Sequence, residues 1–321
     1  MDLEQLSILN PRPERLPGPD LLHHLVAPAS DLVALQHLHK RHVTSFSYRE
    51  IHNLSDVLAG RLLLARGDVA GRFVVPVLVR QSPELYIALL AVLKAGGAFC
   101  PLNPDDPPDR IGFIVKDVAA SVVVATEELA HRVPHHARVQ VVRATAGDAA
   151  AAGSIEPPCH RRLPMPEPRG LAYVMYTSGS TGVPKGVGIS HLAASQALLA
   201  HDARLPSFSR FLQFAAPTFD ISVFEIFFTW HRGCTLVSAD RDELLDDLPS
   251  VLRFMRVDAC ELTPTVAASL LRARDRAPDL KLLLTIGEML NESVVREFGG
   301  DDIKESLLWA MYGPTEATIH W

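Results

Sequence analysis

The chain has 321 residues, with 31 Lys and Arg against 37 Asp and Glu and a formal net charge of −6. That length can bury a large core, and the interspersed charges leave no basic footprint for nucleic acid or an anionic membrane, so small molecules are the expected partners. The N-terminal stretch MDLEQLSILNPRPERLPG has no basic start followed by an apolar run, and no later run reaches spanning length, which predicts a cytoplasmic protein.

In chain order, His37, His39 and His42 come first among the candidate ligands. Read on a helix, their spacings of two and three put the rings on different faces, and there is no HExxH pattern, so no metal site is expected. Residues 73–79 (FVVPVLV) form an apolar run of strand length in which Pro76 predicts an edge position or a bulge. A helix follows, with Ser82 as N-cap, Pro83 in the first helical position and Gly96-Gly97 as its stop. The pattern repeats with a helix over 108–118 and strands over 121–125 and 139–142, which is the rhythm of an α/β fold. Residues 143–169 are rich in Ala, Pro and Arg and read as a surface connection. Strands are predicted again at 171–176, 211–214, 234–238, 259–262, 281–286 and 306–310, with helices between them. Cys100, Cys159, Cys234 and Cys260 form no CxxC pair and read as reduced thiols; His23-His24 and His135-His136 offer no ligand pattern either.

Three constellations carry chemistry. The first is LAYVMYTSGSTGVPKGVGISH at 171–191. The small residues Ser178, Gly179, Ser180, Thr181 and Gly182, after Thr177, let the backbone approach an anion and add hydroxyl donors, and Lys185 supplies a positive charge. An ordinary turn uses the same residue types, but this loop lacks the Asn-Gly or Asp-Gly pair of a tight hairpin. It matches neither GxxxxGK[ST] nor GxGxxG, so the P-loop and dinucleotide readings fail on spacing. The second is PTFDISVFEIFF from Pro217, where Asp220 stands among apolar residues. It can cap a helix running to Phe228, or it can be a buried carboxylate waiting for a ligand ammonium. The third is MYGPTEATIHW at 311–321, which by itself reads as a turn before a helix.

YTSGSTGVPKG resembles the phosphate loop of the adenylate-forming enzymes, the AMP-binding superfamily of acyl-CoA synthetases, luciferases and nonribosomal peptide synthetase adenylation domains. FDISVFE is similar to the FDxS stretch of the last group, and MYGPTE to its YGPTE motif. FSYREI (46–51) and LKAGGAFCPLNPDDP (93–107) resemble two further core motifs, of architectural role. The resemblance implies an α/β fold, the large N-terminal subdomain of these enzymes, with mixed sheets sandwiched by helices. Residues 1–30 would be a lead segment and 31–321 the adenylation domain without its small C-terminal subdomain.

The activity implied is attack of an amino-acid carboxylate on the α-phosphorus of ATP, giving an aminoacyl adenylate for a phosphopantetheine thiol on a peptidyl carrier domain. Carried over, Thr177, Ser178, Gly179, Ser180, Thr181, Gly182 and Lys185 hold the phosphates, Tyr312 stacks on adenine, Thr315 bonds the α-phosphate and Glu316 holds Mg²⁺. Lys185, Thr315 and Glu316 would be the catalytic set. Asp220 would grip the substrate ammonium, with Ile221, Phe224, Glu261, Leu284, Ile286, Met311, Ile319 and His320 around the side chain. Among these, Glu261 would favour a side chain that donates a hydrogen bond or carries positive charge, the alternative being a surface or salt-bridged residue. The stretches FDISVFEIFFTW and ELTPTVAASLL look most like fungal hydroxamate siderophore synthetases.

Two departures stand out: Ala310 replaces the Asn usual before YGPTE, and the sequence ends at Trp321, ahead of the family's TGD motif, hinge and C-terminal lysine. The resemblance therefore implies weak adenylation by these residues alone. The alternatives are an acyl-CoA or aryl-acid ligase of the same superfamily and a non-catalytic nucleotide-binding remnant.

Overall fold

The computed structural model describes residues 15–67, 73–133, 140–144, 165–177, 184–300 and 306–320. The connection predicted over 143–169 falls largely outside them, as do Cys159 and His135-His136. Cys100, Cys234 and Cys260 are free thiols, and burial pushes Cys100 up to about 12.

The chain enters through a hairpin, β1 (Val33–His39) and β2 (His42–Ser47). The histidines therefore sit on strands, not on the helix assumed from their spacing. Lys40 and Arg41 turn the corner with φ of 46° and 66°, a conformation normally signalled by Asn-Gly, so the sequence concealed the hairpin. On a strand His37 and His39 share a face. Both meet Asp240, His37 through Nε2 at 3.2 Å and His39 through Nδ1 at 2.5 Å. Ser47 then caps α1 (Tyr48–Arg66) in a reciprocal box with Glu50, the local logic of the FSYREI stretch.

β3 (Val74–Leu78) is fully buried and central, which corrects the edge position expected from Pro76. The carbonyls of Phe73 and Val77 accept from Ala98 and Leu102 on one side. Alternation turns Pro76 to the other side, toward β5, and the ladder of β3 with β5 is formed at Val77–Val124 and Leu78–Ala125, so the residue without an N–H lies just ahead of its first pair. Pro83 opens α2 (Pro83–Lys94) as predicted, but the Ser82 side chain makes no cap bond; its carbonyl accepts from Leu85 N instead. Gly96, at φ 72°, lets the chain leave the helix. β4 (Ala98–Pro101), α3 (Pro108–Asp117), β5 (Val122–Ala125), β6 (Gln140–Arg143), β7 (Leu171–Thr177) and β8 (Lys185–Ser190) follow.

Next come α4 (His191–Asp202) and β9 (Arg210–Leu212). α5 joins Ile221–Val223, a π turn at Phe224–Phe228 and Thr229–His231. The chain continues with β10 (Thr235–Ala239), α6 (Arg241–Asp246), α7 (Leu248–Phe254), β11 (Ala259–Leu262), β12 (Leu282–Thr285), α8 (Glu292–Phe298) and β13 (Leu308–Ala310). The strands make two sheets, ordered β13-β12-β11-β9-β10-β1-β2 and β6-β5-β3-β4-β7-β8. All neighbours are parallel except the terminal pairs β1–β2 and β7–β8. One apolar cluster joins α1, α2, α4 and α5 to facing strands of both sheets, and α2 is buried on every side from Leu85 to Leu93. A second cluster packs α6, α7 and α8 on the outer face of the seven-stranded sheet, and a third packs α3 on the other sheet. The mixed sheets with helices between and outside them are the architecture expected. Among the described residues no helix is long and apolar enough to cross a membrane.

Candidate active site

The predicted residues that are described lie in or after the carboxyl-terminal parts of β7, β9, β11, β12 and β13, with Lys185 opposite the end of β7, on the side where parallel α/β sheets open their ligand clefts. Ser178, Gly179, Ser180, Thr181 and Gly182 lie outside the described residues. Their flanks are described: Thr177 ends β7 and stands opposite Lys185 at the start of β8 in an antiparallel ladder. Lys185 is exposed, and β8 packs beside the short helical turn Thr315–Ala317. The strand carrying the lysine and the turn carrying Thr315 and Glu316 are therefore neighbours.

Asp220 is 4% exposed and stands at the start of α5. Its side chain makes no cap bond, which corrects the capping alternative. Instead Ile319 N donates to Oδ2 at 3.1 Å and Thr315 Oγ1 donates to Oδ1 at 3.4 Å. Burial raises its carboxyl above the ordinary value, and these donors and the nearby His320 oppose that rise. The segment that reaches it is tightly wound. Thr318 and Ile319 hold φ of 68° and 69°, and a Cβ on Gly313 would lie 2.5 Å from the Ile319 carbonyl oxygen.

Glu261, expected to face a substrate, is already partnered: His320 Nε2 lies 2.9 Å from its Oε1, with both side chains 0% exposed. Glu261 Oε2 and His320 Nδ1 have no hydrogen-bond partner. Phe224, Leu284 and Ile319 are also fully buried and Ile286 nearly so, whereas Ile221 and Met311 are half-buried. Tyr312 (74% exposed) and Glu316 remain open to solvent.

One residue escaped the sequence reading. Glu225 is fully buried, accepts from the backbone N–H groups of Phe214 and Ala215, and accepts from Gln213 Nε2 at 2.8 Å. Burial, with the charge of Glu261 nearby, raises its carboxyl well above the usual range. It fixes the loop leading into Asp220. The signal was present as a second carboxylate inside the same apolar stretch, FDISVFE.

A family model described as AMP-binding enzyme matches residues 23–321. The chain belongs to the AMP-binding enzyme family. This AMP-binding chain is 60% identical over 322 residues to nonribosomal peptide synthetase 2 of Gibberella zeae, covering 100% of the chain and 7% of that protein. It is 38% identical over 286 residues to the hydroxamate-type ferrichrome siderophore peptide synthetase of Schizosaccharomyces pombe, covering 86% of the chain and 6% of that protein. The chain thus spans under a tenth of the length of these relatives. Among solved structures, the nonribosomal peptide synthetase FmoA3 in its AMPPNP-bound form has a TM-score of 0.79 at 22% identity, covering 97% of this chain and 33% of that one. The Klebsiella oxytoca NpsA N-terminal subdomain in complex with 3-hydroxybenzoyl-AMSN has a TM-score of 0.70 at 22% identity, covering 90% of this chain and 70% of that one. The fold is therefore that of the N-terminal subdomain of adenylate-forming enzymes.

Proposed function

We propose that this chain binds ATP and an amino acid as the large subdomain of a nonribosomal peptide synthetase adenylation domain, acting in the cytoplasm in siderophore assembly. The amino-acid carboxylate attacks the α-phosphorus of ATP, the bond to the β-phosphate oxygen breaks and pyrophosphate leaves. A thiol of a phosphopantetheine-bearing carrier domain then displaces AMP. The observation that carries the reading is Asp220, a buried carboxylate held by Thr315 and Ile319 rather than by its own helix. A ligand ammonium beside it would gain an opposite charge in a poorly solvated place.

Donor chemistry at the cleft suits nucleotide and metal. Glu316 offers an exposed carboxylate, a fit for a hard cation such as Mg²⁺, which would neutralise phosphate charge there. Tyr312 offers an aromatic face for adenine, Thr315 a hydroxyl for the α-phosphate, and Lys185 a cation for the leaving pyrophosphate. Thr177 flanks the loop assigned to the phosphates. Residues 31–321 would make up the subdomain, with 1–30 as its lead.

The test is ATP binding and amino-acid-dependent pyrophosphate exchange by the protein and by Asp220→Ala. The reading expects the variant to keep ATP affinity and lose amino-acid dependence. An aryl or acyl acid serving both proteins equally would instead assign the other branch of the family.

A further inference from the structure

The stretch between β9 and α5 is irregular, yet each backbone polar group of Gln213, Phe214 and Ala215 has a partner. Gln213 N donates to the Val237 carbonyl, and the Gln213 carbonyl accepts from Gln81 Nε2 at 2.8 Å. Phe214 N and Ala215 N donate to the Glu225 carboxylate. The Ala215 carbonyl accepts from Gln213 Nε2 at 2.6 Å, and the Phe214 carbonyl accepts from Arg241 Nη1 at 2.7 Å. The Gln213 amide is held in turn by Tyr86, a fully buried residue of α2 whose hydroxyl donates to Oε1 at 2.9 Å. From Ala216 onward the chain is a bonded turn: Phe219 N donates to the Ala216 carbonyl at 2.9 Å, and Ser222 Oγ donates to the Phe219 carbonyl at 2.7 Å. Asp220 is the residue that this stretch delivers.

Arg241 differs from the other partners in being reachable from solvent. It opens α6, is exposed, and lays its guanidinium 4.7 Å from the Phe214 ring centroid while bonding the Phe214 carbonyl. Partial burial lowers the guanidinium from its ordinary value and the charge of Glu225 opposes that, so Arg241 is a cation set toward the buried carboxylate of the loop.

We propose that Arg241 and Tyr86 are positioning residues for Asp220, fixing its carboxylate through the Gln213–Ala215 loop without touching the ligand. The inference rests on the reading above that Asp220 receives the substrate ammonium. A carboxylate delivered by a loop with one bonded arrangement meets that ammonium with little left to order, and loosening the loop makes binding carry the ordering cost. The amino-acid part of the ligand should feel the change and the nucleotide part should not.

The test titrates glycyl, alanyl, seryl, leucyl and ornithyl sulfamoyladenosine, and sulfamoyladenosine itself, into the 321-residue protein by calorimetry. The ratio of the best aminoacyl affinity to that of sulfamoyladenosine isolates the gain from the amino acid. Arg241→Met keeps an apolar stem over Phe214 and removes the donor, while Tyr86→Phe keeps the ring and removes the hydroxyl. Each should lower the ratio at least about five-fold with sulfamoyladenosine affinity unchanged within about two-fold. Arg241→Lys, which retains a donor, should restore most of the ratio, and a value as low as that of Arg241→Met would take the Phe214 bond out of the mechanism. An unchanged ratio in both donor-removing variants, or a loss matched in sulfamoyladenosine affinity, overturns the proposal and leaves the Asp220 reading standing. If no aminoacyl compound binds the unaltered protein better than sulfamoyladenosine, that reading falls and this inference falls with it. Arg241 lies at the surface, so its two variants decide the matter even where Tyr86→Phe does not fold.

Discussion

Ile319 donates its backbone N–H to the Asp220 carboxylate at 3.1 Å, joining residues 99 positions apart in the chain. The same carboxylate is thus both a strut for the C-terminal segment and the proposed anchor of the substrate ammonium. Asp220→Asn separates the two roles, because the amide oxygen can still accept from Ile319 while the charge is gone. Stability should change by no more than about 1–2 kcal/mol, whereas aminoacyl sulfamoyladenosine affinity should fall at least about ten-fold. Urea denaturation and calorimetry on one sample check both.

Glu225 is expected to be the most sensitive carboxylate for folding. Glu225→Ala strands the N–H groups of Phe214 and Ala215 and removes one of the two acceptors of the Gln213 amide, whose Nε2 keeps the Ala215 carbonyl, each lost partner costing about 1–3 kcal/mol. The variant should be poorly folded or insoluble, and circular dichroism during urea titration measures it. Glu225→Gln keeps the volume and should retain part of the stability.

The Glu261–His320 pair predicts non-additivity. His320→Ala leaves Glu261 buried without its partner and should cost about 3–5 kcal/mol, whereas His320→Ala combined with Glu261→Leu should recover much of that loss. A double-mutant cycle by chemical denaturation reads the difference. A sum of independent losses would mean that the bond carries no coupling.

Stability should also fall on mild acidification. Burial holds His191 and His201 down at about 4 and His23 down at about 3, against an ordinary value of 6.5. Between those limits the unfolded chain takes up protons that the folded chain refuses. The stabilisation is therefore complete above about pH 6.5 and drains away as pH drops toward 4. Urea midpoints from pH 7.5 to 4.5 measure the slope. His201→Leu, which removes one of the three groups, should flatten it.

The parts of this protein that announced themselves were those governed by local rules. The apolar runs of β3, β5, β11 and β12 and the Pro83 start of α2 are each set by a few neighbouring residues, and each was legible. The hairpin of β1 and β2 was not, because Lys40 and Arg41 adopt left-handed dihedrals that their identities do not favour. Pro76 misled for a related reason: which way a missing N–H points depends on the register of a strand elsewhere in the sequence. In the site, the identities of Asp220, Glu261 and His320 were readable, but the pairing of Glu261 with His320 was not. Separated by 59 positions, the two meet only after β11 and the C-terminal segment are packed together. Glu225 was passed over because a carboxylate on an apolar helix says nothing by itself about which backbone amides it will meet.

The pairing of β1 with β10 has a consequence for synthesis. Leu35 aligns with Leu236, and Trp230 Nε1 donates to the Ala34 carbonyl, so the hairpin at the start of the chain has its permanent neighbour only after some two hundred further residues are made. At the ribosome's pace of about 5–20 residues per second, that leaves one flank of β1 without its partner for roughly 10–40 s. During that time its hydrogen-bonding groups and the apolar residues Ala34 and Leu35 are open to any other strand nearby. Yield in a heterologous host should therefore respond to elongation rate and chaperone supply more than to the stability of the finished fold.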